Sequence, residues 1–417
     1  MKNYNSFELL NKMEYVRTGG SPSELICANM LKEECEKLGV EATIEAFEVD
    51  GYEIKCASLV LDNGEQVDCC GVGMSGSTPE EGLTGEFVYV TSLADAKLQE
   101  LEGKIVLVHS KLVNVKLYKE LCDKKALGLV LCCGSVYEPK ENVDLDPYQY
   151  RDRHLVNGKI PAVCIRMKDA EELLRKDVKT VTLTVIQDEA KVNSHNVVAT
   201  VPGTVKPNEV VCFSAHYDSV SYSKGMYDNA TGSTCIYELM AYFNEHKPNR
   251  TLKFIWCGSE EMGLLGSKAY TEAHKEELKD YKLNINVDMI GVTIGEDIAC
   301  CTCDNSLVNF IKYLGCEVGF AITPRQGVYS SDSTPFADKG VPAVSFARIA
   351  PQGGAQIHSH RDVKDFLEPV NYYKTCEFIE LFASRLINSV VVPVENVIPD
   401  NVKNDIDIYL GRKERTK

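Results

Sequence analysis

Residues 251–270 read TLKFIWCGSEEMGLLGSKAY. An apolar run of strand length stops at Cys257-Gly258, two glutamates follow, and a glycine-punctuated segment opens a helix. Neighbouring carboxylates repel each other, and neither Glu260 nor Glu261 has a Lys or Arg beside it in sequence. Such a pair at the end of a buried strand needs a physical reason.

The same strand–loop–helix cadence extends in both directions. NVVATVPG, EVVCFSA, LNINVDMIG and VPAVSFA read as strands. NATGSTCIYELMAYFNEH is a helix, with Ile236, Leu239, Met240 and Phe243 on one face. GSKAYTEAHKEEL, SLVNFIKYLG and DFLEPVNYYKTCEFIELFASRLIN are further helices. Alternation of this kind predicts an α/β fold, a mixed, mostly parallel sheet flanked by helices. Upstream, residues 21–39 predict a helix capped by Ser21, with Pro22 in its first turn, Glu24 completing a capping box and Gly39 as the stop. VEATIEAFEV then alternates as a strand. The texture changes between residues 52 and 188, which predict a smaller α/β module of short strands and helices. Its GVGMSG (71–76) is followed by STPEEG rather than a helix and reads as a loop. Its histidines, His109 and His154, have no partners at ligand spacing and read as structural. The tail from VVPVENVIPD onward reads as an irregular arm or linker.

Bulk properties narrow the functional classes. A chain of 417 residues suits two domains, and 44% hydrophobic with 25% charged residues is ordinary globular composition. A formal charge of -16 argues against nucleic acid and anionic membrane as partners. No run approaches a membrane span, and the first residues lack the apolar stretch of a signal peptide. The 17 cysteines are odd in number, dispersed and often adjacent, as buried small hydrophobes in a reducing cytoplasm would be. The expected location is therefore cytoplasmic.

Functional sites in open α/β sheets form outside the carboxyl ends of the strands. EVVCFSA is followed by His216-Tyr217-Asp218, and the next helix is entered through Tyr227-Asp228-Asn229. Glu260 and Glu261 follow TLKFIWCG, Asp288 follows LNINV, and His358, His360 and Asp362 follow VPAVSFA. Taken singly, Asp228 is explained as a helix cap and His216 as a core histidine. Five strand ends that each carry a ligand type are not explained that way. Two histidines with several carboxylates and no cysteine suit zinc or a similar first-row metal. The donors outnumber one tetrahedral shell, so two ions about 3.5–4 Å apart, sharing a carboxylate, are expected.

HYDSV, DNATGS, SEEMGLLGS, NVDMIG and IHSHRD resemble, in order, the five metal-site motifs of the co-catalytic di-zinc aminopeptidases of metallopeptidase family 28. The resemblance covers roughly residues 190–390 together with 14–50. LEGKIVLV, KKALGLVL and IPAVCI resemble strands of a protease-associated domain. The resemblance implies a discontinuous catalytic domain, 1–51 and 189–417, with a protease-associated insert at 52–188. It implies that His216 and Asp288 bind one zinc, Glu261 and His358 the other, and that Asp228 bridges them. Glu260 is then the general base toward a zinc-bridging water, and Asp218 fixes the tautomer of His216. His358 rather than His360 is the implied ligand, leaving His360 as a near-site bystander or a substrate contact. Tyr329 and Arg325 are expected to line the pocket. Where many relatives have a His before the Pro-Phe step, SSDSTPF has Ser333, and any substrate contact of that His is lost.

The expected reaction is hydrolysis of the N-terminal bond of peptide substrates by an aminopeptidase with two Zn2+; Co2+ or Mn2+ fit the same ligands. The alternative is a carboxypeptidase or dipeptidase, which needs a cation for the substrate carboxylate, with Arg325 and Arg348 as candidates. A cyclase is disfavoured by the complete ligand set for two zincs, and a non-catalytic, receptor-like binding protein by that set together with Glu260. The insert and tail leave room for a homo-oligomer.

Overall fold

In this computed structural model, which describes residues 4–145 and 148–413, the chain forms two units. One comprises Met1–Val49 and Asn193–Lys417, and the other Asp50–Val192. Two long strands carry the chain between them, β1 (Ala42–Leu61) on the way out and β2 (Thr180–Val201) on the way back.

In the first unit a short helical segment, Ser6–Leu9, precedes α1 (Pro22–Lys37). Ser21 caps it by accepting the Glu24 amide at 3.2 Å. Glu24 reaches back to the amide of Gly20 at 3.1 Å, one residue short of the expected capping box. After β2 come β3 (Lys206–His216), α2 (Thr231–Glu245), β4 (Arg250–Cys257) and α3 (Leu265–Ala273). β5 (Tyr281–Val287), β6 (Glu296–Cys301), α4 (Asn305–Val318) and β7 (Thr323–Gln326) follow. The unit closes with α5 (Ser333–Asp338), β8 (Ala343–Ile349), α6 (Pro369–Ile387) and α7 (Asp400–Tyr409).

Its open sheet runs β7-β6-β8-β5-β3-β4-β2. The four central strands, β8, β5, β3 and β4, are parallel, so their carboxyl ends share one rim. β2 is antiparallel to β4 and β6 is antiparallel to β8, which makes the sheet mixed. Strands buried on both faces read as continuous apolar runs, and Phe213 of β3 stacks on Phe254 of β4 at 4.8 Å. The buried indole of Trp256 donates to the Ser233 carbonyl at 2.9 Å, fastening α2 to β4.

The tail departs from the expected arm. Ile398, Val402 and Ile406 are buried with Ala337, so α7 packs its apolar side against α5. β6 and β7 also lay outside the sequence reading. The apolar half of EDIACC is short, and TPRQ has no strand periodicity.

The second unit pairs Leu83–Val90, Ile105–Val108, Gly128–Cys133 and Ala162–Arg166 in parallel order. Helices Val115–Asp123 and Met167–Arg175 contribute to two separate hydrophobic clusters. GVGMSG is a loop after a two-residue strand. His154 is buried and holds the Val113 carbonyl at 3.0 Å, and His109 meets the Tyr89 hydroxyl at 3.0 Å.

Candidate metal centre

The parallel rim places six side chains around one point. His216 is the last residue of β3, and Asp288 follows the last residue of β5. Glu260 and Glu261 follow β4, His358 follows β8, and Asp228 lies between β3 and α2. His216 Nε2 stands 3.2 Å from Asp228 Oδ1, 3.6 Å from Asp288 Oδ1 and 4.0 Å from Glu260 Oε2. His358 Nε2 stands 3.2 Å from Asp228 Oδ2 and 3.0 Å from Glu261 Oε2. Asp228 thus turns one oxygen to each histidine. Two triads of metal-ligand type share it: His216, Asp228 and Asp288, and Asp228, Glu261 and His358, each with its ligand atoms within 4.8 Å of one another.

The electrostatics call for a cation. Burial pushes Glu260 well above the usual carboxylate range, and Glu261, Asp332 and Asp288 add to the rise against His216. Burial lowers His358, but Glu261 and Asp228 outweigh it and raise the imidazole to about 11. Burial raises Asp228, and His216 with His358 reverses this to well below the usual range. Asp288 Oδ1 is buried with no hydrogen-bond donor. Carboxylates and imidazoles packed this closely fit a zinc ion by donor type and count, because a dication offsets what the side chains repel.

The backbone around the ligands is held by other side chains. Asp218, fully buried, accepts the amides of Glu260 at 3.0 Å and Glu261 at 3.2 Å through its two oxygens. It faces His216 Nδ1 at 3.5 Å, an ion-pair distance, so its hydrogen bonds go to the glutamate backbone. Asp362 accepts the amides of Tyr227 at 2.7 Å and Asp228 at 3.0 Å. Asn229 Oδ1 accepts from Gly232 at 2.9 Å and Met289 at 3.0 Å, while its amide nitrogen donates to the Val287 carbonyl at 2.9 Å. The start of α2 and the end of β5 are therefore one hydrogen-bonded piece. Arg17, fully buried, donates to the carbonyls of Tyr217 (2.7 Å), Tyr15 (2.7 Å), Lys224 (2.6 Å), Gly225 (3.1 Å) and Met13. It clasps both ends of the 217–225 loop that joins His216 to Asp228. Sequence reasoning passed over Arg17 and Asn229. Arg17 is a lone cation in the sequence, and three of its five partners lie 200 or more residues away.

Tyr329 is half-buried. Burial and the nearby carboxylates Asp288, Asp228 and Glu260 raise its phenol, which keeps its proton. His360 is exposed and lies outside both triads. Arg325 sits on the edge strand β7 opposite Cys300. Arg348 is engaged by Asp297 and by the Val292 carbonyl at 2.8 Å. Ser333 is buried and shares a 2.7 Å hydrogen bond with Ser345.

Histidines and carboxylates converging on the carboxyl rim of a parallel sheet define a metal-dependent hydrolase. Residues 196–380 match the model of "Peptidase family M28". Aminopeptidase YwaD of Bacillus subtilis (strain 168) is 26% identical over 355 residues, covering 82% of this chain and 74% of that protein. Carboxypeptidase Q of Homo sapiens is 28% identical over 241 residues, 52% of this chain, and the match spans about half (49%) of that protein's length. The fold matches that of BSAP, a zinc aminopeptidase from Bacillus subtilis, with a TM-score of 0.77 at 22% identity, over 96% of this chain and 98% of that one. An aminopeptidase from Aneurinibacillus sp. strain AM-1 matches with a TM-score of 0.74 at 23% identity, over 94% and 95%. Among the described residues no helix is long and apolar enough to cross a membrane.

Proposed function

We propose that this chain is a di-zinc aminopeptidase that removes N-terminal residues from peptides. Residues 1–51 and 189–417 would be its catalytic domain and 52–188 a protease-associated insert. His216 and Asp288 hold one zinc, Glu261 and His358 the other, and Asp228 both. The two triads that share Asp228 carry this reading. When bound, zinc supplies the positive charge that acidifies a water and polarises the scissile carbonyl.

The remaining work falls to the chain. Glu260 sits in both the sequence and the space between the ligands but belongs to neither triad, which leaves its carboxylate available. It takes the proton of the attacking water and delivers it to the leaving amine. Asp218 fixes the Glu260 and Glu261 backbone, so the base and the ligand keep their separation. Tyr329 lines the substrate side with a protonated phenol. The position of the arginines supports amino- over carboxypeptidase action. Arg325 lies against Cys300, and the Arg348 guanidinium is taken by Asp297 and Val292. Among the described residues no disulfide joins the cysteines, which supports a reducing, cytoplasmic setting.

The test combines metal analysis with end-blocked peptides. Purified protein should hold two zincs per chain and release N-terminal residues from peptides blocked at the carboxyl end, but not from those acetylated at the amino end. Glu260→Gln should keep both metals and lose at least about 10³-fold in kcat, within the range for removing a general base. Glu261→Gln should lose one zinc. Full activity of Glu260→Gln, or release from the carboxyl end only, would overturn the assignment.

A further inference from the structure

The C-terminal helix α7 bonds from outside to the loop that carries Tyr329. The loop 326–331 carries Tyr329 at its middle, and it is tied on two sides. Inside, the Gly327 amide donates to the Cys301 carbonyl at 2.9 Å. The Ser331 hydroxyl accepts from the side-chain amide of Asn286, two residues before Asp288, at 2.9 Å. The Thr334 hydroxyl donates to the Tyr329 carbonyl at 2.9 Å. Outside, the hydroxyls of Tyr409 and Ser330 share a 2.6 Å hydrogen bond, and the Asn401 side-chain amide donates to Gln326 Oε1 at 2.9 Å. These two bonds hold residues on either side of Tyr329. The helix cannot drift, because Val402 and Ile406 are buried with Ala337 and because Arg412, just past its end, pairs with both Asp338 of α5 and Asp407. Val328 and Leu410 pack on the same cluster.

We propose that α7 is a specificity element of the peptidase site. Tyr409, helped by Asn401, sets how deeply Tyr329 projects over the centre, and with it the size of the N-terminal side chain the site accepts. Tyr409 touches neither substrate nor metal in this scheme and is a positioning residue. The idea rests on the aminopeptidase reading above, and its physical core is a loop pinned between the sheet and a terminal helix. A loop held only from inside keeps its hydrogen bonds to Cys301 and Asn286 but loses its outer stop, so bulky side chains are gripped less well.

The experiment compares wild type, Tyr409→Phe and the double variant Tyr409→Phe/Asn401→Ala, since removing all of α7 would expose apolar surface and endanger folding. Readouts are kcat and KM on alanyl, leucyl and phenylalanyl substrates, zinc content, and amide hydrogen exchange of residues 326–331. The double variant should keep its zinc and hold kcat within about twofold. Its KM for leucyl and phenylalanyl substrates should rise about three- to tenfold, as expected for losing one or two hydrogen bonds. The alanyl KM should move less, so the selectivity ratio changes, and exchange in the loop should quicken. Faster exchange with an unchanged ratio would reduce α7 to a structural strut and overturn the proposal, as would unchanged exchange. If wild type cleaved no peptide at all, the functional reading would fail by itself, and loop exchange would still decide whether the helix pins the loop.

Discussion

Replacing Arg17 by Met tests whether the path from His216 to Asp228 is built by one buried guanidinium. Five carbonyls accept from it, and its own backbone exchanges two further hydrogen bonds with Ser219. Methionine keeps most of the volume and none of the donors. An unsatisfied buried acceptor costs about 1–3 kcal/mol. The carbonyls of Tyr15 and Lys224 belong to half-buried residues that water can reach, which leaves Met13, Tyr217 and Gly225 as the costly ones. Taking the lower part of that range for each of the three, because the loop can relax toward water, the expected loss is about 3–5 kcal/mol. In a domain this large each kcal/mol moves Tm by about 2 °C, so calorimetry should show a fall of roughly 6–10 °C. Arg17→Lys keeps the charge and at most three donors and should fall about half as far. Amide exchange should quicken at 217–225 in both variants, and zinc affinity should drop because the loop separates two of its ligands. A Tm within 2 °C of wild type in Arg17→Met, measured to a precision of about 1 °C, would refute the clasp. So would a large fall without faster exchange in that loop.

Two further predictions concern the scaffold behind the ligands. Gly232→Ala would place a Cβ 2.2 Å from the Val287 carbonyl and 2.4 Å from Asn229 Oδ1. Helix α2 must then retreat from the strand end that carries Asp288, at a cost of about 3 kcal/mol, and zinc titration should show weakened binding. Glu24 is fully buried, and burial above all lifts its carboxyl to about 7. The unfolded chain ionises this group first, so stability falls as pH rises from about 4.5 through 7 and is greatest below that window. The whole effect is at most on the order of 3 kcal/mol. Glu24→Gln should flatten that slope in urea titrations at pH 5 and pH 8, and an unchanged slope would contradict the buried-acid account.

The catalytic framework was legible because two independent signals coincide in the chain. Apolar runs of strand length locate the carboxyl rim, and each rim position bears a residue that a core has no use for. Glu260, Glu261 and Asp288 stand out against runs such as FIWC and LNINV. The supporting shell was hidden for a different reason. Arg17, Asp362 and Asn229 act through backbone groups distant in sequence, and a side chain that binds carbonyls or amides leaves no spacing rule. The tail misled because PVENVIPDNVKND is polar and proline-flanked. Its helix buries only Val402 and Ile406, with Ile398 just before it, too few to stand out before their partner Ala337 on α5 is known. His216 and Asp218 illustrate a third limit. The resemblance implied that Asp218 orients the imidazole, which it faces at 3.5 Å, but nothing in the sequence announced that the same carboxylate accepts two amides that follow another strand.

That last arrangement separates placement from chemistry. Because Asp218 grips positions 260 and 261 by their peptide groups, the identity of the two side chains hardly enters into where they stand. The pair behaves like a mount with exchangeable tips. Substitutions at 260 or 261 can alter proton transfer or metal preference while the mount keeps its shape, and a change at Asp218 displaces both tips together.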